Sequence, residues 1–93
     1  MPVDCKKCRA TLPKPVAGIS TCPRGDEEIY SWFLCPLCDL WTVERYLDVF
    51  MGDDFVTTEG PYVRGVGDAA VAKIRKCQTP HDKMCDCDVH RTW

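Results

Sequence analysis

Two cysteine pairs at C-x2-C spacing, Cys5/Cys8 and Cys35/Cys38, and a third group near the C-terminus, Cys77, Cys85 and Cys87, constrain this chain more than any other feature. With Cys22 they make 8 cysteines in 93 residues. A chain this short buries only a modest apolar core, so cross-links are expected to supply part of its stability. Disulfides form in oxidising compartments, and the N-terminal run Met-Pro-Val-Asp-Cys-Lys-Lys carries no apolar secretory segment. Spacing favours metal instead. A C-x2-C turn brings two thiolates together while its backbone N–H groups point at the sulfurs, and two such turns complete a tetrahedral four-thiolate site. A redox C-x2-C would need a βαβ frame, which the pattern of this chain does not offer.

The C-terminal segment holds five potential ligands: Cys77, His81, Cys85, Cys87 and His90. Four close a site. The preferred set is Cys77, Cys85, Cys87 and His90, because Cys85-x-Cys87-x2-His90 can wrap one ion locally while Cys77 enters from a helix end. His81 is the alternative ligand, one helical turn beyond Cys77, although Pro80 argues that the helix has ended by then. Cys22 is left over, either as a small buried hydrophobe or as a spare ligand should one knuckle cysteine not bind.

Pro13, Pro15 and Gly18 predict an extended loop after the first pair, and Pro23-Arg-Gly-Asp a turn. Glu28 to Leu34 is aromatic-rich and apolar on both faces, which predicts a strand. From Trp41 to Val49 the pattern alternates, with Trp41, Val43, Leu47 and Val49 on one face and only Arg45 out of place. Thr42, Glu44, Tyr46 and Asp48 take the other face of this half-buried strand. Met51-Gly-Asp-Asp predicts a turn, Phe55 to Thr58 a returning strand, and Gly60-Pro61 its end. Asp68 to Lys76 predicts a helix capped by Asp68, with Lys73, Arg75 and Lys76 near its negative end and Ala70, Ile74 and Cys77 on one face. The expected fold is therefore small α+β: an antiparallel sheet interrupted by a knuckle, then one short helix leading into a metal-binding tail.

Residues 5–38, with strands to about residue 50, resemble the zinc-ribbon and rubredoxin-type double knuckle through Cys5-Lys-Lys-Cys8 and Cys35-Pro-Leu-Cys38. The resemblance implies that all four cysteines hold one ion next to a β-hairpin. It divides the chain into a zinc-ribbon-like part (1–50) and a part with hairpin strand, helix and Cys/His-rich site (51–93), expected to pack as one domain. Such knuckles commonly have glycine after their second cysteine, where this chain has Arg9 and Asp39; that departure weighs against rubredoxin more than against a generic zinc knuckle.

Other motifs fail on their context. Gly65-Val-Gly67-Asp-Ala-Ala70 matches a dinucleotide-binding pattern, but the chain cannot supply a parallel α/β sheet and Asp68 would face the phosphates. There is no H-E-x-x-H, and the zinc-deaminase signature is absent. A hydrolytic ion at Cys77, Cys85 and His90, with Asp82, Asp86 or Asp88 as base, would need an open ligand position, against which the abundance of sulfur argues. The longest mainly apolar stretch, Tyr30 to Trp41, is broken by Ser31, Pro36 and Asp39 and is shorter than the roughly 20 residues a bilayer needs.

Charge is unevenly distributed. Residues 1–24 carry five Lys/Arg and one Asp, residues 25–63 one Arg and nine Asp/Glu, and residues 64–93 six Lys/Arg and four Asp. Lys6, Lys7, Arg9 and Lys14 surround the first knuckle, a small basic face of the kind nucleic-acid-binding ribbons use, but the acidic middle opposes phosphate. Tyr30, Trp32 and Phe33, with Trp41 and Tyr46 nearby, form either the core or an exposed patch for a protein partner. The expectation is a cytoplasmic, non-enzymatic zinc protein with two Zn2+ per chain, acting as a protein-interaction module without membrane contact. The alternatives are rubredoxin-like electron transfer with iron at the first site and a nucleic-acid-binding ribbon.

Overall fold

The aromatic run that predicts a strand does form one, and the rest of the chain is arranged around it. A computed structural model describes residues 2–22, 25–49 and 52–93. In chain order the elements are β1 (Val3–Asp4), β2 (Thr11–Leu12), β3 (Ala17–Thr21), β4 (Glu27–Cys35), β5 (Leu40–Asp48), β6 (Asp54–Tyr62), α1 (Arg64–Arg75) and α2 (Asp88–Thr92). Strands β3-β4-β5-β6 make an antiparallel sheet in that order, and β1 pairs with β2 in a separate two-stranded ribbon. The fold is small α+β, as expected. The turns predicted at Pro23 and Met51 involve Pro23, Arg24 and Met51, which lie outside the described residues.

One face of the sheet meets the helices. Ile19, Trp32, Trp41 and Val43 from the strands pack with Val71 and Ile74 of α1, Val89 of α2 and Cys77 between them. The Trp32 and Trp41 rings meet edge to face with centroids 6.2 Å apart, a favoured aromatic geometry. Phe33 is 1% exposed on the other face, where the N-terminal ribbon buries it with Val3, Leu12, Cys5 and Cys35. Trp32, Phe33 and Trp41 are therefore core, while Tyr30 and Tyr46 are half-buried.

Several expectations need correction. Gly18 belongs not to a loop but to β3, whose backbone pairs with β4 from Ala17↔Trp32 to Thr21↔Glu28. Thr42, assigned to the polar face, is fully buried because the first knuckle lies over it, and its Oγ1 accepts a hydrogen bond from the Lys6 N–H at 3.2 Å. Arg45 faces the helix side and reaches Glu28 at 3.2 Å, which explains its break in the alternation. β6 continues past Gly60-Pro61 by means of a bulge. Gly60 adopts φ 130, and a Cβ there would lie 2.9 Å from the Trp41 carbonyl oxygen, so the close approach demands glycine.

The helix begins four residues earlier than predicted, and Asp68 is not its cap. Val63 occupies the N-cap without a side-chain bond. Asp68 instead accepts from Trp41 Nε1 at 3.1 Å and from Arg64 Nε at 3.0 Å, while Arg64 Nη1 reaches Asp39 at 2.6 Å. This chain of polar contacts ties the second knuckle to the first turn of α1. The G-x-G-x-x-A pattern has a packing cause: a Cβ on Gly67 would sit 2.0 Å from the Trp41 ring.

Candidate metal centres

Each C-x2-C turn is closed by the same backbone bond. The Arg9 N–H donates to the Cys5 carbonyl at 3.0 Å, and the Asp39 N–H to the Cys35 carbonyl at 2.9 Å. Closing that bond requires the residue after the second cysteine to turn left-handed, and Arg9 (φ 64) and Asp39 (φ 59) do so. The two positions where the chain lacks the usual glycine thus keep the glycine conformation. The knuckle backbone survives the substitution at a local cost of about 1–2 kcal/mol each.

The knuckles face each other. β4 carries Cys35 at its end, the turn to β5 carries Cys38, and the first knuckle approaches from the β1–β2 ribbon. Cys5, Cys8, Cys35 and Cys38 place their sulfurs within 4.8 Å of one another, with Cys5–Cys38 at 4.0 Å and Cys8–Cys35 at 3.6 Å. All eight cysteines are free thiols. Four thiolates at the usual Zn–S bond length lie about 3.8 Å apart along the edges of a tetrahedron, so this cluster has the dimensions of a four-sulfur site. Disulfide sulfurs would be about 2 Å apart.

The second cluster unites Cys77, Cys85, Cys87 and His90, again within 4.8 Å. Cys77 lies 3.7 Å from Cys85 and 3.5 Å from Cys87; His90 Nδ1 lies 3.5 Å from Cys77 and 3.3 Å from Cys87. Helix α1 ends at Arg75 and delivers Cys77, while α2, which the sequence reading missed, delivers His90. His90 Nε2 is 3.0 Å from the Ser20 carbonyl oxygen. A carbonyl only accepts, so Nε2 carries a proton, and Nδ1 is the ring atom turned toward Cys77 and Cys87. Histidine metal ligands are oriented by this kind of outer hydrogen bond.

Thiol acidities in the two clusters are uneven. Burial works against the Cys5 thiolate, but the backbone N–H groups of Cys8 and Lys7 and the neighbouring thiols bring it down to about 6. Cys38 is pushed up to about 12, first because it hydrogen-bonds Cys8 and then by burial. In the second cluster His90 brings Cys87 down to about 6, while burial pushes Cys77 up. In each cluster one thiol is thus favoured as thiolate and another disfavoured, and a cation that binds all of the sulfurs resolves the competition between them.

The remaining sequence candidates fall outside the clusters. His81 is exposed, with its ring against Gly18 of β3, and α1 stops too early to carry it toward Cys77. Cys22 is half-buried and lines a cleft of about 340 Å3 together with Cys85 and His90, so it is neither a core hydrophobe nor a neighbour of the knuckles. Asp82 donates nothing to the site: its carboxylate accepts from the Met84 N–H at 3.0 Å. Asp86 and Asp88 pair with Arg91. Lys6, Lys7, Arg9 and Lys14 are all exposed. No helix among the described residues is long and apolar enough to cross a membrane. The described residues form two potential metal-binding sites, and in comparisons with known proteins no family model, curated protein or solved structure matches the chain.

Proposed function

We propose that this is a non-enzymatic zinc protein whose two ions are structural, held by Cys5, Cys8, Cys35 and Cys38 and by Cys77, Cys85, Cys87 and His90, and that it serves as a small protein-interaction module of the cytoplasm. The observation that carries the reading is the sulfur and nitrogen spacing of both clusters, which suits four-coordinate ions with no position left for water or substrate. Zinc at both sites would neutralise part of seven thiolates and take the formal charge from −2 to about −5. The ions act as cross-links: the first joins the N-terminal ribbon to the β4–β5 turn, and the second folds the tail. In a compartment that keeps thiols reduced, such cross-links replace disulfides.

Metal content by plasma mass spectrometry, with an absorption spectrum of the same sample, tests the reading. Two zinc ions per chain and no visible colour are expected, and a chelator should abolish the near-ultraviolet circular dichroism of the tryptophans. Iron at the first site, with its thiolate charge-transfer bands, would replace the structural reading with electron transfer. Full retention of the tertiary signal in metal-free protein would remove the structural role from both ions.

A further inference from the structure

The two edges of the main sheet are treated differently. On β3 the Ser20 N–H donates to the Pro80 carbonyl at 2.8 Å and the Ser20 carbonyl accepts from His90, so the tail covers that edge. On β6, the opposite edge, nothing among the described residues pairs with the outer side. The backbone direction of each residue follows from Ser20 by alternation through the register. Ser20 points outward, so Ile19 pairs with Tyr30, Ile29 with Tyr46, Arg45 with Thr57 and Leu47 with Phe55. Asp54, Val56 and Thr58 are then the residues whose N–H and C=O groups face solvent.

This edge lacks most of the devices that blunt exposed strands. The Gly60 bulge and Pro61 protect its C-terminal part, but Asp54 to Thr58 is regular and in register. Helix α1 does not cover it, and Phe55 (55% exposed) and Val56 (48%) show apolar side chains on opposite faces. Along the strand itself the charge has one sign, although Arg45 of β5 stands opposite Thr57. From Leu47 to Val63 the sequence contains four Asp/Glu and no Lys, Arg or His. Glu27, Asp48 and Asp54 stand in one row across β4, β5 and β6. Two sets of cations border the patch: Lys83 acts on Asp48 electrostatically, and Lys6 and Arg9 line a cleft that reaches Thr58. The acidic ground therefore lies at the Asp54 end. Parallel, in-register self-pairing of β6 would bring these carboxylates against their own copies, which disfavours that arrangement of a second chain.

We propose that the Asp54–Thr58 edge of β6 docks an extended, lysine- or arginine-bearing segment of a partner protein as a fifth strand of the sheet. Main-chain bonds to Asp54, Val56 and Thr58 supply affinity, apolar side chains of the segment lie beside Phe55 and Val56, and its cations meet Asp48 and Asp54. The proposal rests on the interaction-module reading and names its surface and the chemistry of its partner.

The test uses the full zinc-loaded chain, with metal content measured first so that failure of the zinc reading is seen separately. 15N-labelled protein is titrated with a synthetic peptide alternating lysine and valine, with its glutamate-for-lysine counterpart, and with a copy N-methylated on alternate residues. The lysine peptide is expected to shift β6 amides and slow hydrogen exchange at Val56 and Thr58, with affinity that falls as salt rises. The glutamate and N-methylated peptides should bind at least tenfold more weakly. Val56→Pro should cause the same loss while leaving the β5–β6 ladder intact, because the N–H it removes points away from β5. If that variant misfolds, the N-methylated peptide still decides. Equal binding of lysine and glutamate peptides, undiminished binding after N-methylation, or no response at β6 overturns the proposal. A concentration-dependent dimer that protects β6 overturns it in favour of a second copy.

Discussion

His90 Nε2 donates a hydrogen bond to the Ser20 carbonyl across seventy positions of sequence, at 3.0 Å. The same ring offers Nδ1 to Cys77 and Cys87, so one imidazole belongs both to the second cluster and to the edge of the sheet. Loss of the ion proposed for this cluster should therefore be felt in β3. In Cys87→Ser, zinc should fall from two ions per chain to one. Hydrogen exchange at the Ser20 amide, bonded to Pro80 of the same tail, should accelerate by at least tenfold. Amides of the first knuckle should keep their protection. Uniform acceleration over both halves would mean that the second site holds the whole fold and not its own edge alone.

Gly67 and Gly65 lie two residues apart on α1 and should respond in opposite directions to alanine. A Cβ on Gly67 would enter the Trp41 ring, whereas around Gly65 there is nothing within 4 Å. Gly67→Ala should cost about 1–3 kcal/mol through overpacking. Gly65→Ala should gain about 0.5 kcal/mol from helix propensity. Thermal unfolding of the zinc-loaded variants measures both.

The contrast between these two glycines also shows where the sequence was legible. Ligand chemistry is local: Cys5-x2-Cys8 and Cys85-x-Cys87-x2-His90 carry their geometry in their spacing, and the structure gathers those residues. Strand periodicity is likewise local, which is why β4 and β5 were readable to within a residue or two. What depends on a distant partner was not. Gly67 read only as part of a failed dinucleotide pattern because the sequence does not say that Trp41 lies against it. Thr42 looked solvent-facing because the knuckle that covers it is 36 positions away. Asp68 resembled a cap, yet its carboxylate answers an indole nitrogen and Arg64. β3 was invisible because a glycine at its second position suits a strand only when a neighbour comes close, here the Tyr30 carbonyl and the His81 ring.

Arg9 occupies a left-handed backbone position that suits glycine, and its side chain is exposed. Relief of the left-handed strain, about 1–2 kcal/mol, is partly offset by the greater chain entropy of glycine, about 0.5–1 kcal/mol. Arg9→Gly should thus stabilise the zinc-loaded protein by up to about 1 kcal/mol, and Arg9→Val should destabilise it, since a β-branched residue tolerates positive φ poorly. Denaturant unfolding at fixed zinc concentration checks both. Equal effects of the two substitutions would mean that the knuckle turn does not keep this backbone conformation in solution.

Asp48 and Asp54 stand directly opposite each other on β5 and β6, with Glu27 next in the row. Asp54 also accepts from the Tyr46 hydroxyl at 2.6 Å, which pushes the Tyr46 phenol up to about 12. Sharing a proton with Asp54, together with the charges of Asp54 and Glu27, raises the Asp48 carboxyl above its ordinary value, and Lys83 opposes the shift only in part. The sign follows from proton uptake. A carboxyl whose acidity is weakened by folding binds its proton more tightly in the native state, so stability falls as pH rises from the unfolded carboxyl value, about 4, through the raised native one. At neutral pH the whole repulsion is present. Asp48→Asn should therefore raise the melting temperature of zinc-loaded protein at pH 7 and low salt, and the gain should shrink in high salt. Carboxyl 13C titration of the parent protein should place Asp48 above an ordinary aspartate. An ordinary Asp48 titration, with no melting change in Asp48→Asn, would mean that the row of carboxylates is relaxed in solution and that β6 does not hold this register.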